Sequence, residues 1–301
     1  MDLIRPVEIT DSNLTSSNVL EDDYAEYVAG TTYVVDDYVI VKGTVHKVYV
    51  SLQAANLGNY PPDNTSGETP YWLEVGSTKP WRMFDTQVAT QTEATTEIIV
   101  EIAPGRINSL AMLEVEAAEI EVTLTDPVAG IVYNETIDMV SDSGVQDLYA
   151  YFYEPIVRDT DAVKLDIPPY VDATLKVEIR NTGGTAKIGM MVVGTKKFLG
   201  TTKWKPQISI LEYSRKETDD FGNPTLVVRK SARLMNVDLF MDTSYASELR
   251  RTLAEYSAVP VVWVGHEDYQ STIIYGFYRS FAIVLDNYST SDCTLDIEGL
   301  I

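Results

Sequence analysis

The sequence predicts a mainly-β protein, and three observations carry that expectation. Short runs rich in β-branched residues recur at close intervals, among them "TTYVVDDYVIVKG", "TEIIVEIAPG", "EIEVTLTDPVAG" and "AKIGMMVVG". Gly, Pro, Asn or Asp bounds nearly every run, which is the punctuation of strands joined by tight turns. Several runs alternate with period two. In "TLKVEIR", Leu175, Val177 and Ile179 share one face while Lys176, Glu178 and Arg180 share the other, the pattern of a half-buried strand.

In chain order, residues 1–90 are expected to form a small β domain with an N-terminal arm, 91–198 a central β-sandwich, and 199–301 an α+β domain with one clear helix. Two polar seams suggest the divisions. Residues 85–97, "DTQVATQTEATTE", lack large apolar side chains, and residues 194–206, "GTKKFLGTTKWKP", hold two glycines, a proline and four lysines. The strand-after-strand stretch between them has the size and rhythm of a sandwich. In the first domain, Tyr33, Val35 and Asp37 fall on one side of an expected strand, with Val34, Asp36 and Tyr38 on the other. "VKG" then turns the chain and "TVHKVYV" returns it. The clear helix lies in "DTSYASELRRTLAEYS": Ser244 can cap it, and Ala246, Leu249, Leu253 and Tyr256 make one apolar stripe. A weaker helical signal is the capping-box spacing of Asn18 and Glu21.

The 45 acidic side chains outnumber the 23 basic ones, giving a net charge of −22. Such a field repels phosphate backbones and anionic membrane surfaces, so neither nucleic-acid binding nor membrane insertion is expected. No segment approaches the roughly 20 apolar residues of a membrane span. "MDLIRPVEIT" does not resemble a secretion signal, so synthesis in a cytosol is expected. Cys293 is the single cysteine, which forbids an intramolecular disulfide. Its alternating setting and the flanking Asp292 and Asp296 mark it as a buried, unreactive thiol.

Catalytic chemistry finds no foothold. His46 and His266 are the only histidines, and no G-x-S-x-G elbow, zinc spacing or Gly-rich phosphate loop accompanies them. Asp219, Asp220 and Asn223 cluster in "KETDDFGNPT", but the closing Glu of a calcium loop is missing. A hairpin turn at Gly222 and Asn223 is the better reading. Carboxylate pairs are too abundant to single out a glycosidase pair. A non-enzymatic protein without metal or cofactor is expected.

Aromatic side chains offer the remaining lead. Tyr60, Tyr71, Trp72 and Trp81 lie in stretches rich in Pro, Asn and Gly. Aromatic faces stack on pyranose rings while nearby Asn and Asp accept hydroxyl protons, so these four are the candidate carbohydrate-binding residues. The competing reading is that so small a domain needs its aromatics for a core. Tyr33 and Tyr49 are assigned to that core.

The order of Tyr27, Gly30, Thr31, Thr32, Tyr33, Asp37, Val39, Gly43 and Val45, then Gly58, Asn59, Pro61, Pro62, Tyr71 and Trp72, resembles the small chitin- and cellulose-binding modules of bacterial glycosidases. Asp36 stands where that family has glycine, and His46 where it has tyrosine. "YWLEVGSTKPWRMFD", "DLYAYFYEPIVRDTDAVKLDIPPY", "ILEYSRKETDDFGNPTLVVRKSA" and "IIYGFYRSFAIVL" are similar to segments of tail-associated virion proteins of tailed bacteriophages and prophages. That resemblance implies a virion location and a structural role in the tail tip, baseplate or fibre-attachment region. It implies other tail proteins as partners, a homo-oligomer in a symmetric assembly, and contact with host-surface polysaccharide. The alternative is a dedicated receptor-binding, glycan-recognising or depolymerising tail protein.

Overall fold

One strand of 25 residues, Thr174–Phe198, organises most of the chain. The computed structural model that shows it describes residues 1–87, 90–140, 148–153, 157–218, 221–267, 269–285 and 287–300. The first part of this strand lies between Glu119–Asp126 and Thr92–Ile102, both antiparallel to it. Its register against Thr92–Ile102 slips between Arg180 and Thr185, where Gly183 takes φ +84°, as at a β-bulge. Beyond the slip, the same strand pairs Ser109–Glu116 and then Asp2–Pro6. A single strand therefore joins four neighbours within one large sheet, and "TLKVEIR" and "AKIGMMVVG" are parts of one element.

The alternation read from the sequence is realised here: Leu175, Val177 and Ile179 are buried, and the charged residues between them are not. They close a core with Ile98, Val100, Ile120, Val122, Leu110 and Met112 from neighbouring strands. Of the residues described, strands account for 54% and helices for 10%, so the protein is mainly β.

Asp2–Pro6 carries the sheet onward, because its other edge pairs Val261–Val264. The order then runs through Ile273–Val284, Thr290–Gly299 and Ser231–Asp242, ending at Thr201–Thr202 and Gln207–Glu212. Where Asp2–Pro6 meets the long strand, a Cβ on Gly194 would lie 1.9 Å from the Arg5 carbonyl oxygen, so only glycine permits the approach. The expected helix forms over Ala246–Glu255 and buries Ala246, Leu249 and Leu253, with Tyr256 just beyond it. A 3-10 turn, Thr243–Tyr245, leads into it and is capped by Asp242, whose Oδ1 accepts from the Ser244 N–H; Ser244 does not serve as the cap, and Tyr245 at the helix start makes no side-chain cap bond. Cys293, Leu295 and Ile297 point into the core beneath it.

A separate three-stranded sheet is formed by Tyr38–Lys42, His46–Ser51 and Trp72–Ser77. Two sequence expectations are corrected in this region. Residues 34–37 form a turn, not a strand: Asp36 adopts φ +69° and the Asp37 carboxylate accepts from the Val34 N–H at 2.7 Å. No helix follows Asn18, because its side-chain amide bonds the backbone of Thr92–Ile102, donating to the Glu97 carbonyl and accepting from the Ile99 N–H. The segment is thereby held extended alongside that strand.

Candidate functional site

The four aromatic residues predicted to hold a sugar separate into two pairs. Trp72 is 0% exposed; its Nε1 donates to the Asn59 carbonyl at 2.9 Å, and Tyr33 meets its ring edge-on at 5.2 Å. Trp72 belongs to a local core with Tyr33, Val39, Val41 and Tyr49, which confirms those two tyrosines as core residues. Trp81 is 1% exposed and sits in the main core of the large sheet, not in that local one. It lies on the 3-10 turn Lys79–Phe84, with His46 against its ring at 4.9 Å. Neither indole offers a face to a ligand.

Tyr60 and Tyr71 are exposed, at 43% and 39%. Asn64 ties them to one loop: its Nδ2 donates to the Tyr60 carbonyl at 2.8 Å, and its own carbonyl accepts from the Tyr71 N–H at 3.1 Å. Leu73 and Val75 continue the exposed apolar surface beyond Tyr71. A second exposed pair was missed in the sequence. Tyr24 and Tyr38 stack with ring centroids 4.7 Å apart and planes 18° apart. They are separated along the chain, and Tyr24 lies in an irregular segment, so no spacing signal links them. Between these surfaces, burial, with Glu74 and Tyr60 adding to it, pushes the Tyr49 hydroxyl up to about 12.

The histidines and the thiol have structural surroundings. His46 Nδ1 is 2.8 Å from Glu21 and its Nε2 is 3.3 Å from Asp11, so the ring bolts the N-terminal segment to the three-stranded sheet. Cys293 is buried, and burial together with Asp238 pushes its thiol up to about 11. Among the described residues no group of three or more His, Cys, Asp or Glu side chains is arranged to hold a metal ion. Asp219 and Asp220, weighed above as calcium ligands, lie outside the described residues. A cleft of 510 Å³ opens beside Arg233, which pairs with Glu114 at 3.1 Å and with Asp161, whose side chain is 2% exposed. Both acids already engage the guanidinium, so the group is an ionic tie between the strand Ser231–Asp242 and the middle of the chain.

The most exposed apolar surface lies elsewhere, on an arm. Gln207–Glu212 pairs the beginning of Ser231–Asp242, and every one of its residues is exposed. Beyond it, Arg215–Thr218 and Pro224–Val227 form a ribbon that pairs with no other strand among the described residues. Gly222, expected in a turn, lies between the two strands of this ribbon with φ +86°. Ile210 is 69% exposed, Phe221 91%, Leu226 66% and Val228 78%, with Trp204 just before the arm at 83%, so this segment turns large apolar side chains outward. Exposed apolar side chains gathered on one such segment make it the candidate interaction surface.

No protein-family model and no curated protein matches the chain.

Proposed function

We propose that the protein is a non-enzymatic structural component of a bacteriophage tail, in the tail tip, baseplate or fibre-attachment region. Its work is to hold other tail proteins in place. The observation that carries this reading is the arm of residues 207–230. A two-stranded ribbon is marginal in water by itself, and one that exposes Leu226, with Val228 just beyond it and Ile210 on the adjoining strand, gains its stability from a partner. The resemblance of the flanking segments to tail-associated virion proteins supplies the setting. The ion pairs of His46 and the burial of Cys293 support a structural role over a catalytic one. Mass spectrometry and cryo-electron microscopy of purified virions test the proposal: it requires the chain to be present at stoichiometric level, with the arm against a neighbour. Absence from virions refutes it.

A second reading, a glycan-recognising adhesin, is favoured by the open faces of Tyr60 and Tyr71 and the stacked Tyr24 and Tyr38. Host-surface polysaccharide would meet those rings, since Trp72 and Trp81 are closed to it. Calorimetry with chitin and cellulose oligosaccharides separates the readings. An adhesin loses measurable binding in Tyr60→Ala and Tyr71→Ala while its unfolding midpoint stays put. A structural protein shows no binding to lose.

A further inference from the structure

The cleft beside Arg233 holds more than an ionic tie. Its 510 Å³ is lined by Glu114, Asp161, Arg229, Lys230 and Arg233, with Gln91 and Ser231 among the uncharged residues. Three cations against two carboxylates leave it positive by one, in a chain whose net charge is −22. A concave patch of the minority sign focuses a field that the rest of so acidic a surface lacks.

Both carboxylates are engaged by one partner. Asp161 accepts from the Arg233 guanidinium with one oxygen and from the Glu114 N–H, at 3.1 Å, with the other. Glu114 Oε1 lies 3.1 Å from the same guanidinium. It does so from a backbone at φ +53° within the strand Ser109–Glu116, a left-handed conformation unfavourable to residues other than glycine. Arg229 and Lys230 are left over: among the described residues neither side chain has an ion-pair partner. The Arg229 backbone is held in place all the same. Its N–H donates to the Ser214 hydroxyl at 2.8 Å, and its carbonyl accepts from that hydroxyl at 3.2 Å. A fixed backbone reduces the freedom that the side chain gives up on binding.

We infer that this cleft binds an anionic group, a carboxylate or a phosphate, carried by a small molecule or by one sugar of a longer chain. The Arg229 guanidinium can take the edge of such a group with two parallel N–H bonds, and Lys230 adds a point charge. Arg233 neutralises the two acids that would otherwise repel the ligand. The volume lies within the range of small-ligand sites, so room remains beside the charge for the body that carries it. The Gln91 amide and the Ser231 hydroxyl can bond hydroxyls of that body. The inference does not depend on the tail role proposed above.

Isothermal titration calorimetry on the full-length chain tests this, with inorganic phosphate, glucuronic acid and glucose as separate titrants. At low salt at least one of the two anions is expected to bind saturably, with a Kd on the order of 1 mM, while glucose does not bind. Arg229→Ala combined with Lys230→Ala should weaken that binding by about tenfold or more. Arg229→Lys keeps the charge but loses the fork, and should weaken it by about threefold. Both residues are exposed, and circular dichroism checks that the variants keep the fold. Arg250→Ala combined with Arg251→Ala removes as much charge from the helix Ala246–Glu255, outside the cleft, and should change binding by less than about twofold. Tighter binding of glucuronate than of phosphate assigns the site to an acidic sugar, and the reverse order assigns it to a phosphate-bearing ligand. Absence of binding by both anions, equal binding of glucose, or equal losses in the two double variants each overturns the inference; the last would mean an adventitious ion only.

Discussion

Replacing Trp72 with alanine should unfold the three-stranded sheet of Tyr38–Lys42, His46–Ser51 and Trp72–Ser77 and leave the large sheet standing. The ring is fully buried, and a buried Trp removes roughly 200 Å² from water, worth about 5 kcal/mol at ~25 cal/mol per Å². That figure is an upper bound, because the unfolded chain already hides part of the ring. Losing the bond from Nε1 to the Asn59 carbonyl adds about 1 kcal/mol. A net loss of about 4 kcal/mol follows, in keeping with the roughly 3–5 kcal/mol of buried Trp→Ala changes. The local core of Tyr33, Val39, Val41, Tyr49 and Trp72 shares no buried residue with the main core, so nothing else compensates the loss. Hydrogen exchange read by mass spectrometry is the assay. Amides in Tyr38–Lys42, His46–Ser51 and Trp72–Ser77 should lose protection while those in Thr174–Phe198 keep theirs. Trp81→Ala should do the opposite and weaken the large sheet. Retained protection of the three N-terminal strands to within about 1 kcal/mol in Trp72→Ala would refute the assignment of that tryptophan to a separate core.

Three further perturbations test the remaining assignments. Arg233→Ala strands the buried Asp161 carboxylate and should cost about 2 kcal/mol in urea unfolding, below the roughly 3–5 kcal/mol of a fully buried pair because the guanidinium is partly exposed; an unchanged midpoint would sink the ionic tie. Burial raises the pKa of Asp85 above the usual carboxylate range, outweighing the bonds it accepts from Gln87 and Thr90. The folded state therefore holds that proton more tightly than the unfolded state, and stability falls as pH rises through the window above the ordinary Asp value. Asp85→Asn should accordingly raise the Tm at pH 7 and change little at pH 3, and equal shifts at both pH values would exclude burial as the cause. Cys293 should resist a thiol reagent at pH 8 in the native protein and react fully in denaturant; rapid native labelling would contradict its burial.

What the sequence disclosed depended on how locally each feature is determined. "TLKVEIR" was legible because a half-buried strand writes its two faces into alternate residues. The helix Ala246–Glu255 was legible because its stripe spans three turns. "YVVDDY" alternates equally well, yet it turns, because Asp36 can enter the left-handed region and Asp37 can bond the Val34 N–H. Gly183 and Gly184 looked like a boundary between two strands, while the structure uses them to bend one. Trp72 and Trp81 looked exposed because their neighbours are loop formers. Whether such a ring turns inward is decided by residues distant in the chain, such as Thr92, whose Oγ1 accepts from the Met83 N–H at 3.0 Å and so holds the Trp81 turn against the sheet. The exposure of the arm was hidden for the same reason: "QISILE" and "TLVV" are as apolar as many buried strands.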